Sequence, residues 1–197
     1  MSQTVLDIPR FLFAEPRRNL PGRKGATTPE DRFTLAFSRA YLDQAGRIHR
    51  KATRNKLALA REIPVNGYGI ADLLAVAWAE VPGVSYPTVE EFCRMVQPRT
   101  RAFECKLSHW RQALHQAVRY RFYAHQTFVV LPEAVVEAAL SYLETFRKAK
   151  VGLWGYGPES GRIQPYFTPR ALRPRSPRYA LHAVGCVARA SRSLPIR

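Results

Sequence analysis

RAFECKLSHWRQALHQAVRYRFYAHQTFVVLP, residues 101–132, is the stretch on which the reading of this chain turns. RAFECKL alternates as a strand does, so Glu104 and Lys106 share one side while Phe103, Cys105 and Leu107 take the other. Residues 109–123 change period. Trp110, Leu114 and Ala117 form an apolar stripe at helical spacing, and Gln116 and Tyr120, four apart, share a face on its flank. TFVVLP then reads as a second strand. An acid and a base two residues apart on a strand make either an exposed ion pair or half of a metal-dependent site.

Upstream, TPEDRFTLAFSRAYLDQA predicts a helix. Thr28 can cap it, Pro29 suits its first position, and Glu30 and Asp31 sit where the helix dipole favours acids. Phe33, Phe37, Ala40 and Tyr41 supply its apolar stripe. A basic run follows, with Arg47, Arg50, Lys51, Arg54, Lys56 and Arg61 before the next acid, Glu62. LALAREIPV and YGIADLLAVAW read as strands joined at Asn66-Gly67, a strong hairpin signal. Residues 80–100 are expected to be a loop with one helical turn around TVEEFCRMV. EAVVEAALSYLETFRKA predicts a helix and VGLWGY a strand. The order helix, three strands, helix, strand, helix, strand describes an α/β sandwich with a mixed sheet flanked by helices.

Composition sets the boundaries. Residues 1–29, rich in Pro and Arg, read as an irregular arm, and 30–157 as the core. Residues 158–197 read as a basic Arg/Pro-rich extension, folded at first and ending in a flexible tail, because 160–197 hold eight Arg and no Asp or Glu. At 197 residues and 46% hydrophobic the chain has enough apolar material for one real core. A net charge of +16 and a pI of about 10.5 call for a polyanionic partner, nucleic acid before an acidic membrane surface. Cys93, Cys105 and Cys186 form no CxxC pair, which argues against a disulfide framework, a cysteine zinc site or an iron–sulfur cluster and fits a reducing cytoplasm. The N-terminus lacks the pattern of a secretory signal, and Asp72 and Glu80 interrupt the best apolar run, so no membrane span is expected.

Asp72 is the only acid in a strand otherwise apolar on both faces, and a buried carboxylate needs positive compensation. With Glu104 on a neighbouring strand it could hold a hard divalent cation, the Cys105 carbonyl and waters completing the shell. Lys106 would stand beside it as a fixed positive charge. Such a set suits phosphodiester hydrolysis.

Asp72, then ECK as Glu104-x-Lys106, then QAVRY as Gln116-x-x-x-Tyr120, resembles the PD-(D/E)XK nuclease superfamily, closest to its RecB-like branch. The resemblance covers about residues 30–157. It implies a restriction-endonuclease-like αβββαβ core, dependence on Mg2+ or Mn2+, and DNA cleavage; the leading expectation is a DNA nuclease serving defence, a mobile element or repair, with other protein subunits of a larger system as an option. Carried over by position, Asp72 and Glu104 are metal ligands and Lys106 the catalytic lysine. Gln116 and Tyr120 steady the site and touch the DNA backbone. The chain departs from the pattern in having Ala71 where proline is usual, a long connection from Asp72 to Glu104, and no obvious inward acid on the first helix, where capping explains Glu30 equally well. Arg47, Arg50, Lys51, Arg54, Lys56 and Arg119, with Arg170, Arg173, Arg175 and Arg178 of the extension, are the expected nucleic-acid contacts. The competing readings are a non-catalytic DNA-binding module on the same fold and an RNA-binding or ribosome-associated protein; the latter leaves Asp72 and the Glu-x-Lys pair unexplained. His109 and His115 read as a helix-start and a solvated residue, and Trp110 and Trp154 as packing.

Overall fold

Thr28 and Asp31 open the first helix with a reciprocal cap: the Asp31 amide donates to Thr28 Oγ1 and the Thr28 amide to the Asp31 carboxylate, at 3.0 and 2.9 Å. Helix α1 runs Pro29–His49. The computed structural model describes residues 28–49, 55–84 and 86–192. The expected arm lies outside them up to residue 27, as do Arg50, Lys51 and Arg54. Strands β1 (Asn55–Val65) and β2 (Gly69–Ala79) form the antiparallel hairpin predicted at Asn66-Gly67, where Gly67 takes a φ of +81°. Helix α2 (Val89–Val96) leads to β3 (Arg99–Cys105), α3 (Trp110–Tyr120), β4 (Gln126–Pro132), α4 (Glu133–Leu140), α5 (Leu143–Ala149), β5 (Gly152–Gly157), β6 (Arg162–Phe167) and α6 (Pro177–Arg192).

The six strands lie in the sheet in chain order. β1, β2 and β3 alternate direction, β3, β4 and β5 run parallel, and β6 returns antiparallel to β5. The three central parallel strands are buried on both faces, as helices on either side require. α1 covers one face. Phe33, Phe37 and Tyr41 pack there on Leu73, Phe103, Phe128, Trp154 and Tyr156. Gly152 is needed beneath this layer, since a Cβ would stand 2.2 Å from the Phe128 ring. The other face is covered by α3, α4, α5, α2 and α6, whose Trp110, Leu114, Val136, Phe146, Phe92 and Val184 meet Leu74, Val76, Ala102 and Val129.

Three expectations change. Residues 89–96 make two helical turns, not one, because Thr88 accepts from the Glu91 amide at 3.1 Å and Gln97 ends the helix left-handed. The helix expected from 133 to 149 breaks at Ser141–Tyr142 into α4 and α5, which sets Tyr142 against Trp110 (centroids 4.8 Å apart) while Phe146 stays buried. Most far-reaching, the basic extension is folded through the end of α6. The boundary drawn at 157/158 falls in the β5–β6 turn, and α6 buries Ala183, Val184, Val187 and Ala188 against the sheet. Its arginine content conceals an apolar stripe at helical spacing.

Between β6 and α6, residues 168–176 cross the end of α3 as a strap. The amides of Arg175 and Ser176 donate to the carbonyls of Arg121 and Phe122, and that of Leu172 to His125, at 2.9–3.1 Å. Carbonyls left over at a helix C-terminus are thereby satisfied. Among the described residues no helix is long and apolar enough to cross a membrane.

Candidate functional site

β2 and β3 pair only as far as Leu73↔Phe103. One further step in the same register sets Asp72 opposite Glu104, both on the face that carries Leu74 and Ala102. On the other side of β2, the ladder to β1 skips the position where Glu62 would oppose Asp72, and Glu62 has a φ of +53°. Asp72 thus sits in a gap between strands. Its Oδ2 accepts the amide of Cys105 at 2.8 Å. Glu104 is 1% exposed.

Lys106 lies one residue past β3, its amide donating to the Val130 carbonyl at 3.1 Å. Its ammonium meets Glu30 Oε1 at 2.5 Å and Glu104 Oε1 at 3.4 Å. Glu30 therefore belongs to the site. Thr28 and Asp31 make the cap between them, which leaves Glu30 to reach the lysine.

The Tyr120 hydroxyl lies 2.6 Å from the Ile70 carbonyl and within hydrogen-bond distance of Glu104 Oε2. Its single proton can be donated to either acceptor, so the hydroxyl ties the Glu104 carboxylate to the β2 backbone at Ile70. Burial raises the Glu104 carboxyl against the opposing pull of Tyr120 and Lys106. Burial, then the charge of Glu104, pushes Asp72 up to about 8. For Lys106, burial acts downward, but the hydrogen bond to Glu30 and the carboxylates of Glu104 and Asp72 outweigh it and hold the ammonium above its usual range.

The structure brings together Asp72, Glu104, Lys106 and Tyr120 of the expected set. Gln116 stands one turn before Tyr120 with its Oε1 buried and unpaired among the described residues. Tyr123, one turn after, is fully buried with an unpaired hydroxyl. The Cys105 side chain points to the α1 face, where burial raises its thiol.

The expected nucleic-acid contacts are scattered. Lys56 pairs with Glu80 at 3.4 Å, and Arg47 lies near the end of α1. Arg119 is exposed on α3 beside Gly69, Arg170, Arg173 and Arg175 are exposed on the strap, and Arg178 opens α6. His115 is exposed, His109 starts α3 at a φ of +43°, and Trp110 and Trp154 pack in the interior.

Among the described residues no group of three His, Cys, Asp or Glu side chains is gathered closely enough to hold a metal ion by itself. The donor chemistry nevertheless fits a hard cation. Burial raises both crowded carboxyls, which a cation would offset, and Mg2+ commonly takes one or two carboxylates and completes its shell with water and substrate phosphate. Sequence reading leaves Glu30 a weak candidate, because capping explains an acid in a first turn equally well. It does not find Tyr68, Phe122 and Tyr179, which come from three separate segments and meet only in the fold. The chain matches no protein-family model, no curated protein and no solved structure.

Proposed function

We propose that the chain is a divalent-cation-dependent DNA nuclease that hydrolyses phosphodiester bonds, on the αβββαβ core of the PD-(D/E)XK superfamily that its motifs resemble. The observation that carries this reading is the placement of Asp72 and Glu104 on one face where β2 and β3 part, with the Lys106 ammonium beside them. Asp72 and Glu104 would hold Mg2+ or Mn2+. The ion, when bound, supplies Lewis acidity toward phosphate and lowers the pKa of water. Lys106, fixed by Glu30, places positive charge where a phosphorane-like transition state gains negative charge. Tyr120 orients the Glu104 carboxyl through its bond to Ile70. A surplus of arginine on the strap and α3 supplies the long-range attraction for DNA.

The test is Mg2+-dependent cleavage of linear, nicked, branched and single-stranded DNA. Asp72→Asn should lose on the order of 10²-fold or more in rate while still binding DNA. Lys106→Arg should be nearly as slow as Lys106→Ala, because a planar guanidinium does not fit where Glu30 and Glu104 grip a compact ammonium. Full activity in Asp72→Asn would sink the reading. One observation favours the non-catalytic alternative: Lys106 already pairs with two of the carboxylates, Glu30 and Glu104, from within. DNA binding with no cleavage under any divalent cation would decide for it.

A further inference from the structure

Beside the carboxylates lies a patch that cleavage chemistry does not use, built from the β1–β2 turn, the end of α3 and the start of α6. Tyr68 stacks on Phe122, with centroids 4.4 Å apart and planes 25° from parallel, and meets Tyr179 edge-on at 4.7 Å. All three rings are half-buried, so each keeps part of its surface in solvent. The Arg175 guanidinium stands 5.5 Å from the Phe122 centroid.

The patch is continuous with the site. Ile70, whose carbonyl receives the Tyr120 hydroxyl, is two residues from Tyr68. Between them Gly69 holds a φ of +90°, and a Cβ there would touch Arg119 Nη2 at 3.6 Å and the Tyr120 ring at 3.7 Å. Glycine takes that conformation freely, and the backbone there lies close against Arg119 and Tyr120. Neither Arg119 nor Arg175 has an ion-pair partner among the described residues, and both are exposed.

Packing α6 against a hairpin needs apolar rings but no guanidinium groups left without an acidic partner. Aromatic faces with free arginines, in contrast, bind a nucleotide that has left its stack: the rings take the base and the arginines the phosphates. A paired base in a duplex cannot offer its face. We propose that Tyr68, Phe122 and Tyr179, with Arg119 and Arg175, form a stacking subsite for an unpaired nucleotide of the DNA strand that occupies the carboxylate site. The placement of that strand rests on the nuclease reading; the stacking does not require cleavage.

The experiment uses the full chain in EDTA with two probes of equal length. One is a closed, fully paired hairpin. The other is a duplex with a frayed end carrying 2-aminopurine, which loses fluorescence when it stacks on an aromatic ring. The wild-type chain should bind the frayed probe more tightly and quench it. Tyr68→Leu and Tyr179→Leu, which keep apolar bulk, should each weaken frayed-end binding by about tenfold and relieve the quench, and leave the paired probe within about twofold. Arg175→Gln should weaken both probes and spare the quench at saturation. Equal weakening of both probes by the tyrosine variants, or no quench in the wild-type chain, overturns the subsite. If one leucine variant does not fold, the other decides. A chain that shows this pattern but never cuts keeps the subsite and loses the nuclease reading; a chain that cuts without it does the reverse.

Discussion

The two faces of strand β3 are equally dry and chemically opposite. Phe103, under α1, is 0% exposed, with its centroid 4.9 Å from Tyr41, 5.4 Å from Phe37 and 5.0 Å from Phe128. Glu104, one residue on and under α3, is 1% exposed and meets Tyr120, Lys106 and the neighbouring Asp72. Burial of the phenyl ring favours folding, whereas burial of the carboxyl opposes it unless a proton, a partner or a cation compensates. One strand thus has two characters: Phe103 and Cys105 face the apolar layer under α1, and Glu104 faces a cluster of acid, lysine and tyrosine under α3.

The largest effect expected from breaking this contrast is on the dry face. Phe103→Ala should cost about 3–5 kcal/mol of stability, read from the urea midpoint, because the rings of Phe37, Tyr41, Phe128 and Trp154 cannot all close over the void. A cost near ~1 kcal/mol would mean that the aromatic layer is loosely packed.

Glu104→Gln tests the other face and should give the opposite profile. It keeps the shape and removes the ionisable group, and Lys106 keeps Glu30 as its partner, so stability should change little. On the proposed nuclease reading, Mg2+-dependent cleavage should fall on the order of 10²-fold, since an amide is a poor ligand for a hard cation. Equal losses of stability and activity would make Glu104 a structural residue.

How much of this is legible in the sequence follows from the range of each interaction. Period and turn chemistry are local, so both strands of the Asn66-Gly67 hairpin, the α3 stripe and the pairing of Glu104 with Lys106 on one side can be read directly. The meeting of Asp72 with Glu104 depends on register between strands joined by a long connection, and only the motif resemblance suggests it. Glu30 is ambiguous because Thr28 can be capped by either of two neighbouring acids, and side-chain direction decides between them. α6 is hidden by composition: its arginines dominate a count of charge, while four small apolar residues at helical spacing determine where it packs.

His125 gives a smaller effect at the other end of β3. Its Nδ1 accepts from the Thr100 amide at 3.1 Å and lies 2.9 Å from the Thr100 hydroxyl, which requires a neutral ring at that nitrogen. Burial, then the charge of Arg99, pushes the imidazole down to about 4. An unfolded histidine takes its proton near about 6.5, so the unfolded chain binds more protons between these values. Stability from this group is complete above about pH 7 and is lost as the pH falls from about 6.5 toward 4. The loss should be about 1–3 kcal/mol, reduced from the full linkage value by partial exposure. His125→Asn, which retains an acceptor near Nδ1 but cannot titrate, should flatten that part of the pH–stability curve. An unchanged slope would assign acid sensitivity to other groups.

The smallest effect concerns the strap, where the same contrast between holding and binding recurs within a single short segment. Its backbone holds: Leu172, Arg175 and Ser176 donate to the carbonyls of His125, Arg121 and Phe122. The side chains of Arg170 and Arg173 are exposed and have no ion-pair partner among the described residues. Deleting residues 160–197 would therefore confound the two roles, because it removes β6, the strap and the buried stripe of α6 together. Arg170→Gln with Arg173→Gln separates them. Stability should change by less than about 0.5 kcal/mol per site, as for exposed residues away from special features. Each arginine withdrawn from a phosphate should lower the slope of log affinity against log salt by about 0.9 on duplex DNA, so the double variant should be flatter by about 1.8. The change should be the same for every DNA sequence, since arginines that reach only phosphates carry no base information. An unchanged slope in a stably folded double variant would remove the strap from the DNA path and leave Arg119 and Arg178, on α3 and α6, as the cations to test next.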